Sequence, residues 1–367
     1  MSKFKQAFRY LRDPRAGNAQ HPLVEILFIG LAAVLCGAQG PCDMARFGQA
    51  KASFLRTVLP LEHGIPSHDT FGRVFSMLDP GQFERAFRKF VVAFAKANGV
   101  KLTGVISVDG KALRGAYDRG KSATPLHLVN VFASEARMAL ASRKAPGRNE
   151  AEAAIEVLAT LDLKDSIVTA DALHCTQSFA AGVLAKKGNY VLALKRNQKR
   201  LFAETERCFA RGGKRSKSTK LEPSTHDRRE WRRATVIRTR TLDASGKFPG
   251  IGAVGRITSR RRLHGQPAGS TSTRYYLLST YMPADKLLKV ARSHWAIENQ
   301  LHWMLDVVFK EDDSRVRNGN APENFAALRR IALNVLRAHP AKWSMRQKVK
   351  TAGWSDEFLR ELLGHMR

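Results

Sequence analysis

Gly104-Val-Ile-Ser-Val-Asp-Gly-Lys-Ala-Leu-Arg114 is the stretch on which the rest of the chain turns. Its apolar residues, Val105, Ile106 and Val108, follow one another closely instead of alternating with charge. That predicts a strand over 104–108 covered on both faces. The run stops on Asp109, with Gly110, Lys111 and Arg114 behind it. A carboxylate at the end of a covered strand is costly unless something positive meets it. Lys111, Arg114 or a bound cation can do so. The plainer reading is an aspartate that caps the next turn, with Gly110 supplying the geometry.

Outward from that strand the pattern stays rich in strands. Residues 126–132 alternate apolar side chains with His127 and Asn130, and 138–142 read as a short antiparallel partner. Asn149 caps a helix over 150–161. A fourth strand, 166–170, ends on Asp171. Thr176 caps a helix that Gly188 stops, and a fifth strand over 190–194 runs into Lys195-Arg-Asn-Gln-Lys-Arg200. Strand, strand, strand, helix, strand, helix, strand is the order of the ribonuclease H fold, in which the first and fourth strands lie side by side and parallel. Asp109 and Asp171 then stand together outside the carboxyl ends of neighbouring strands, where sites in open sheets gather. Two carboxylates held together repel unless a cation bridges them. Independent turn caps have no reason to meet.

The flanks read differently. Residues 1–21 are polar and basic, with Arg9, Arg12 and Arg15, and predict a loosely ordered arm. Helical spacing follows: Leu23, Ile26, Leu27, Leu31, Val34 and Leu35; then a helix over 43–59; then one capped by Ser67 or Asp69; then a stripe of Phe83, Phe87, Phe90, Val91 and Phe94. Residues 1–100 therefore form an N-terminal helical domain. It is either a candidate DNA-binding unit or a packing domain with a basic face, and no base-reading pattern is visible.

Residues 203–285 read as a β-rich basic insertion within a second domain over 101–345. Residues 211–220 are expected to be a loop, and 236–241 an exposed strand. Trp231 lies among Arg228, Arg229, Arg232 and Arg233. That setting suits phosphate contact and stacking on bases, or else a solvated charged hairpin. A helix is expected over 284–309, carrying His294, Glu298, His302 and Asp306 at four-residue steps on one face. Such a stripe is a site or simply the polar side of an amphipathic helix. A basic helix over 325–338 and a basic tail over 346–367 close the chain.

The chain has 367 residues, long enough for one large core or a few smaller ones. Lys and Arg number 62 against 32 Asp and Glu, a formal net charge of +30. An excess of that size, spread along the chain, implies a polyanionic partner, nucleic acid first. The cysteines, Cys36, Cys42, Cys175 and Cys208, show no metal-finger spacing and read as free thiols in a reducing compartment. The apolar run over 26–36 is too short to span a bilayer.

Six motifs run in order through most of the chain: His21-Pro-Leu-Val-Glu-Ile-Leu; Pro66-Ser-His-Asp-Thr-Phe-Gly-Arg-Val-Phe75; Val108-Asp-Gly-Lys-Ala-Leu-Arg-Gly115; Val168-Thr-Ala-Asp-Ala-Leu-His-Cys175; Tyr190-Val-Leu-Ala-Leu-Lys-Arg-Asn-Gln198; and His294-Trp-Ala-Ile-Glu-Asn-Gln-Leu-His-Trp303. Together they resemble bacterial insertion-sequence transposases of the DDE type, in the subgroup that includes H-repeat-associated proteins. The resemblance implies an α/β fold, with a ribonuclease-H-like mixed-sheet catalytic core, an N-terminal helical domain and a β-rich insertion. It makes Asp109, Asp171 and Glu298 the catalytic, metal-binding triad for two magnesium or manganese ions.

The implied activity is DNA strand cleavage and strand transfer at element ends. Its partners would be double-stranded DNA and further copies of the chain, in the cytoplasm beside the nucleoid and away from membranes. Lys111, Arg114, Lys195, Arg196 and Lys199 would hold phosphates, with Trp231 stacking on bases. Related transposases carry Tyr, Arg and Lys around the glutamate. Ala291, His294 and Leu305 stand in those places here, and Arg292 and His294 are nearest the arginine's role. His174 and His302 are candidates to assist, against the plain reading of hydrogen-bonded histidines. The rival readings are a catalytically degenerate, transposase-derived DNA-binding protein and a structure-selective nuclease that does not join strands.

Overall fold

The computed structural model describes residues 2–116, 125–211, 215–225, 228–239, 242, 247–263 and 269–366. The first hundred residues form six helices: α1 (Ser2–Phe8), α2 (Leu23–Leu35), α3 (Pro41–Ala50), α4 (Ala52–Arg56), α5 (His68–Met77) and α6 (Pro80–Ala97). The expected loose arm is in part a helix. Phe4 and Phe8 of α1 are buried, their rings against those of Phe28, Phe83 and Phe90; two aromatics outweigh the basic residues around them. The single helix expected over 43–59 is two, parted at Lys51. Ser67 caps α5 by accepting from the Thr70 N–H.

The middle of the chain alternates. In order come β1 (Gly104–Leu113), β2 (Leu126–Ala133), β3 (Met138–Lys144), α7 (Glu150–Leu158), β4 (Ser166–Ala170), α8 (Gln177–Ala185), β5 (Asn189–Leu194), α9 (Lys199–Arg211), β6 (Arg215–Thr225), β7 (Arg228–Arg238), β8 (Ala253–Leu263) and β9 (Ser270–Leu278). All nine strands make one mixed sheet, ordered β3-β2-β1-β4-β5-β9-β8-β7-β6. β1 is parallel to β4 and β4 to β5, while β2 runs antiparallel to β1.

The sheet alters several expectations. β1 does not stop at Val108: antiparallel pairing with β2 carries it to Leu113, whereas pairing with β4 ends at Val108↔Ala170. The strands of 203–285, expected as a β-rich insertion, join the same sheet. β9 pairs with β5 from Val191↔Leu278 to Leu194↔Tyr275, so they widen the central sheet. Residues 215–220, expected as loop, are half of β6, because β7 supplies their ladder partners; 212–214 lie outside the described residues. Val236 and Ile237, expected on an exposed strand, are buried on β7, and 240–241 lie outside the described residues.

Among the described residues, five further helices and a wider turn follow the sheet. α10 (Ala284–His294) buries Leu287, Leu288 and Val290 with Val236, Ala253 and Leu278 of the widened sheet. A π turn, Ile297–His302, joins it to α11 (Trp303–Val307). α12 (Ala321–Ala338) is buried almost all round. Its Asn334 accepts from the Ala139 N–H at 2.9 Å and donates to the Ala139 carbonyl at 2.8 Å, which satisfies the open edge at β3. The expected tail folds back as α13 (Met345–Trp354) and α14 (Asp356–Gly364), whose Val349, Leu359 and Leu362 are buried. One core runs from Phe4 through Val108 and Val131 to Leu336 and Met366. Among the described residues, no helix is long and apolar enough to cross a membrane.

Candidate active site

Val108↔Ala170 is the last paired rung between β1 and β4. Asp109 and Asp171 are therefore the next residue on each strand, side by side where the ladder opens. Asp171 also caps the short turn that follows, its Oδ1 accepting from the Leu173 N–H at 2.9 Å. Turn cap and neighbour of Asp109 are thus both true of it.

The third carboxylate comes from the π turn. There the Trp303 N–H bonds to the Glu298 carbonyl, five residues back. In an α-helix, side chains at four-residue steps drift by about 40° each. The wider turn changes that step, and Glu298 and His302 meet across it. The continuous helix expected over 284–309 is thus α10, a π turn and α11. One ligand atom each from Asp109, Glu298 and His302 lie within 4.8 Å of one another. His302 Nδ1 is 3.4 Å from Glu298 Oε2 and 3.8 Å from Asp109 Oδ2. Asp171 is not in that trio, but its charge acts on Asp109.

The electrostatics follow from this crowding. Burial, then the charge of Glu298 and a hydrogen bond to it, then the charge of Asp171, push the Asp109 carboxyl up to about 8. Glu298 goes the other way, to about 2, chiefly through its hydrogen bond with His302. These opposite directions favour Asp109 over Glu298 as the seat of a proton held by the pair. Two carboxylates that share a proton beside a third are a donor set suited to a hard divalent cation.

A polar bracket fixes the helix end one turn before Glu298. Thr169 donates to Ser107 at 3.2 Å, Ser107 and Ser134 are 2.9 Å apart, and Ser134 donates to the Ser293 carbonyl at 3.0 Å. His294 Nδ1 lies 3.1 Å from Thr169 Oγ1. Burial takes His294 down to about 4, so it is neutral at pH 7 and brings no positive charge to a phosphate. Lys111 is buried, its Nζ 2.7 Å and 2.8 Å from the Asp306 carboxylate and 3.3 Å from Asp312. It ties β1 to α11 and to the segment behind it.

The remaining expected residues scatter. Arg114 is exposed, 3.5 Å from Asp312. Lys195, Arg196 and Lys199 are exposed. They stay beside Asp171 because Asn197 and Gln198 donate to the Ala172 and Cys175 carbonyls at 2.8 Å and 3.0 Å. Arg292 is exposed and lines a cavity of about 910 Å³ with Arg137, Arg232, Arg261, Lys289 and Trp295. Trp231 is half-buried on β7, which stands five strands from β1 in the sheet order, about 24 Å away at ~4.8 Å per strand. His174 is buried, and neither ring nitrogen has a hydrogen-bond partner among the described residues.

Sequence reasoning missed Asn130, Glu311 and Arg330. Asn130 faces Asp109 across the β1–β2 ladder, and Arg330 and Glu311 form an ion pair with no exposure at all. An arginine inside the apolar stripe of a helix was the available signal.

Two family models match the chain. The one described as "DDE_Tnp_1-associated" covers residues 5–91, and "Transposase DDE domain" covers residues 101–335. "Putative transposase YncI" of Escherichia coli O157:H7 is 32% identical over 95% of this chain and 90% of its own length. "H repeat-associated putative transposase YhhI" of Escherichia coli strain K12 is 31% identical over 94% of this chain and 93% of its own. A looser likeness, TM-score 0.44 at 13% identity, reaches the piggyBac transposase in its synaptic complex with hairpin DNA, over 98% of this chain and 77% of that one.

Proposed function

The chain belongs to the transposase DDE-domain family, and on that premise we propose that it cuts and rejoins DNA at the ends of an insertion element. Its ribonuclease-H-like core would carry a triad of Asp109, Asp171 and Glu298. The observation that supports this most is the meeting of Asp109 and Glu298 within 4.8 Å, with Asp171 at the end of the neighbouring strand, on a chain of net charge +30. Two magnesium or manganese ions, once bound, supply an activated hydroxyl and charge at the leaving oxygen. The three carboxylates hold them, and the polar bracket fixes Glu298 against the sheet.

Lys195, Arg196 and Lys199 grip the phosphates nearest Asp171. The cavity at Arg137, Arg232, Arg261 and Arg292 takes the strand beyond, and Trp231 belongs to DNA farther out. The helices over 1–100 and the basic strands over 203–285 would add further contacts to DNA, and paired ends would bring copies of the chain together. Asp109→Asn, Asp171→Asn and Glu298→Gln should each slow magnesium-dependent nicking of DNA carrying the element ends by about 10³-fold or more, as loss of several kcal/mol of charge stabilisation implies. Binding to the same DNA should persist. Undiminished nicking by Asp109→Asn would remove the triad. Binding by the unsubstituted chain without metal-dependent nicking would leave a DNA-binding protein only.

A further inference from the structure

His302 offers a nitrogen to the same small space as the two carboxylates, and proximity alone would make it a ligand. Its other nitrogen argues otherwise. Glu311 takes two hydrogen bonds from Arg330, at 2.8 Å and 3.4 Å, and the Ala326 carbonyl takes a third at 2.7 Å. The guanidinium is thereby fixed, and its Nε donates to Asn130 Oδ1 at 2.7 Å. Arg330, Glu311 and Asn130 are all fully buried. The Asn130 amide cannot turn over, because its NH₂ would then meet the guanidinium N–H with no acceptor between them.

Asn130 Nδ2 must therefore point at His302 Nε2, 3.3 Å away. An amide N–H against Nε2 makes that nitrogen the acceptor. The imidazole proton is then on Nδ1, the atom that faces Glu298 and Asp109. A protonated Nδ1 has no lone pair to give a metal.

We infer that His302 is a positioning residue and not a metal ligand. Its Nδ1–H faces Glu298 Oε2, 3.4 Å away, and aims that carboxylate, and the buried series Glu311, Arg330 and Asn130 fixes its tautomer. The inference rests on the reading of Asp109 and Glu298 as cation ligands. It leaves the cation an all-oxygen protein donor set, the kind that suits magnesium and manganese over softer metals.

The test uses the full chain with ¹⁵N-labelled histidine, free of metal. Long-range proton–nitrogen spectra, with His302→Gln to identify the signal, should show His302 protonated at Nδ1 and bare at Nε2. Asn130→Asp, whose carboxylate accepts from Nε2, should move the proton to Nε2. It should also raise the ratio of zinc to manganese affinity by about 10- to 100-fold. Pulsed electron paramagnetic resonance of the manganese-loaded, unsubstituted chain should show no directly bound imidazole nitrogen.

A bare Nδ1 in the unsubstituted chain, or a directly coordinated nitrogen on its manganese, would overturn the inference, and both are read without the substituted protein. Manganese binding that Asp109→Asn and Glu298→Gln leave unchanged would instead sink the cation-site reading. The tautomer of the metal-free chain would still decide the role of Asn130.

Discussion

At Asp109, position and charge pull against each other. A free aspartate ionises near 3.8, and the folded chain holds this one protonated up to about 8. Between those values the folded state carries the extra proton, so raising the pH must weaken the fold. Glu298 has the opposite sign: drawn down to about 2, it contributes stability that is present above its ordinary value and lost as the pH falls toward about 2. The metal-free protein should therefore melt at a lower temperature as the pH rises from about 4 to about 8. Asp109→Asn, which imitates the protonated acid, should flatten that decline and melt higher than the unsubstituted chain at pH 8. Thermal melts in chelator across that range read the difference, and superimposable curves would contradict the shared proton. At this scale the sequence showed the three acids, because their neighbours in the chain are distinctive. It hid Asn130 and Arg330, whose importance comes from what lies opposite them.

Among the elements, the π turn matters most. It places one residue more than an α-helical turn holds in the stretch that carries Glu298 and His302. Deleting the exposed Asn299 should restore α-helical spacing and swing one flank by about 100° relative to the other. Manganese titration by calorimetry should then show the site lost, with only a modest fall in melting temperature. Retained affinity would mean that the turn is incidental. The end of β1 makes a second case. A Cβ on Gly115 would lie 2.5 Å from the Ser314 carbonyl and 2.7 Å from that of Asp312, backbone that cannot easily yield. Gly115→Ala should cost about 1–3 kcal/mol, seen as a lower urea midpoint at unchanged slope. Strand order and helix caps were legible in the sequence, since period and capping residues are local. The π turn was not, because the same four-residue steps fit an amphipathic α-helix.

For the molecule as a whole, charge sets the interaction with DNA. Each phosphate contact made by a cation steepens the dependence of affinity on salt by about 0.9 in the logarithmic slope. Replacing Lys195, Arg196 and Lys199 together by alanine should make that slope shallower by about 3 and weaken binding at 0.1 M salt, with the melting temperature little changed. Fluorescence anisotropy on labelled duplex across a salt series measures it. An unchanged slope would place the DNA path elsewhere.

The sequence alone determined the mixed α/β character, the parallel pairing of the first and fourth strands and the family likeness, and its charge implied a polyanionic partner. These follow from composition, short-range period and motif order, which the chain carries locally. Folding alone decided that the basic strands of 203–285 extend the central sheet, that Lys111 is committed to Asp306 and Asp312, and that His302 meets Asp109 backed by Asn130 and Arg330. Each of those joins residues distant in the chain, and burial strengthens a charged contact that no local pattern announces.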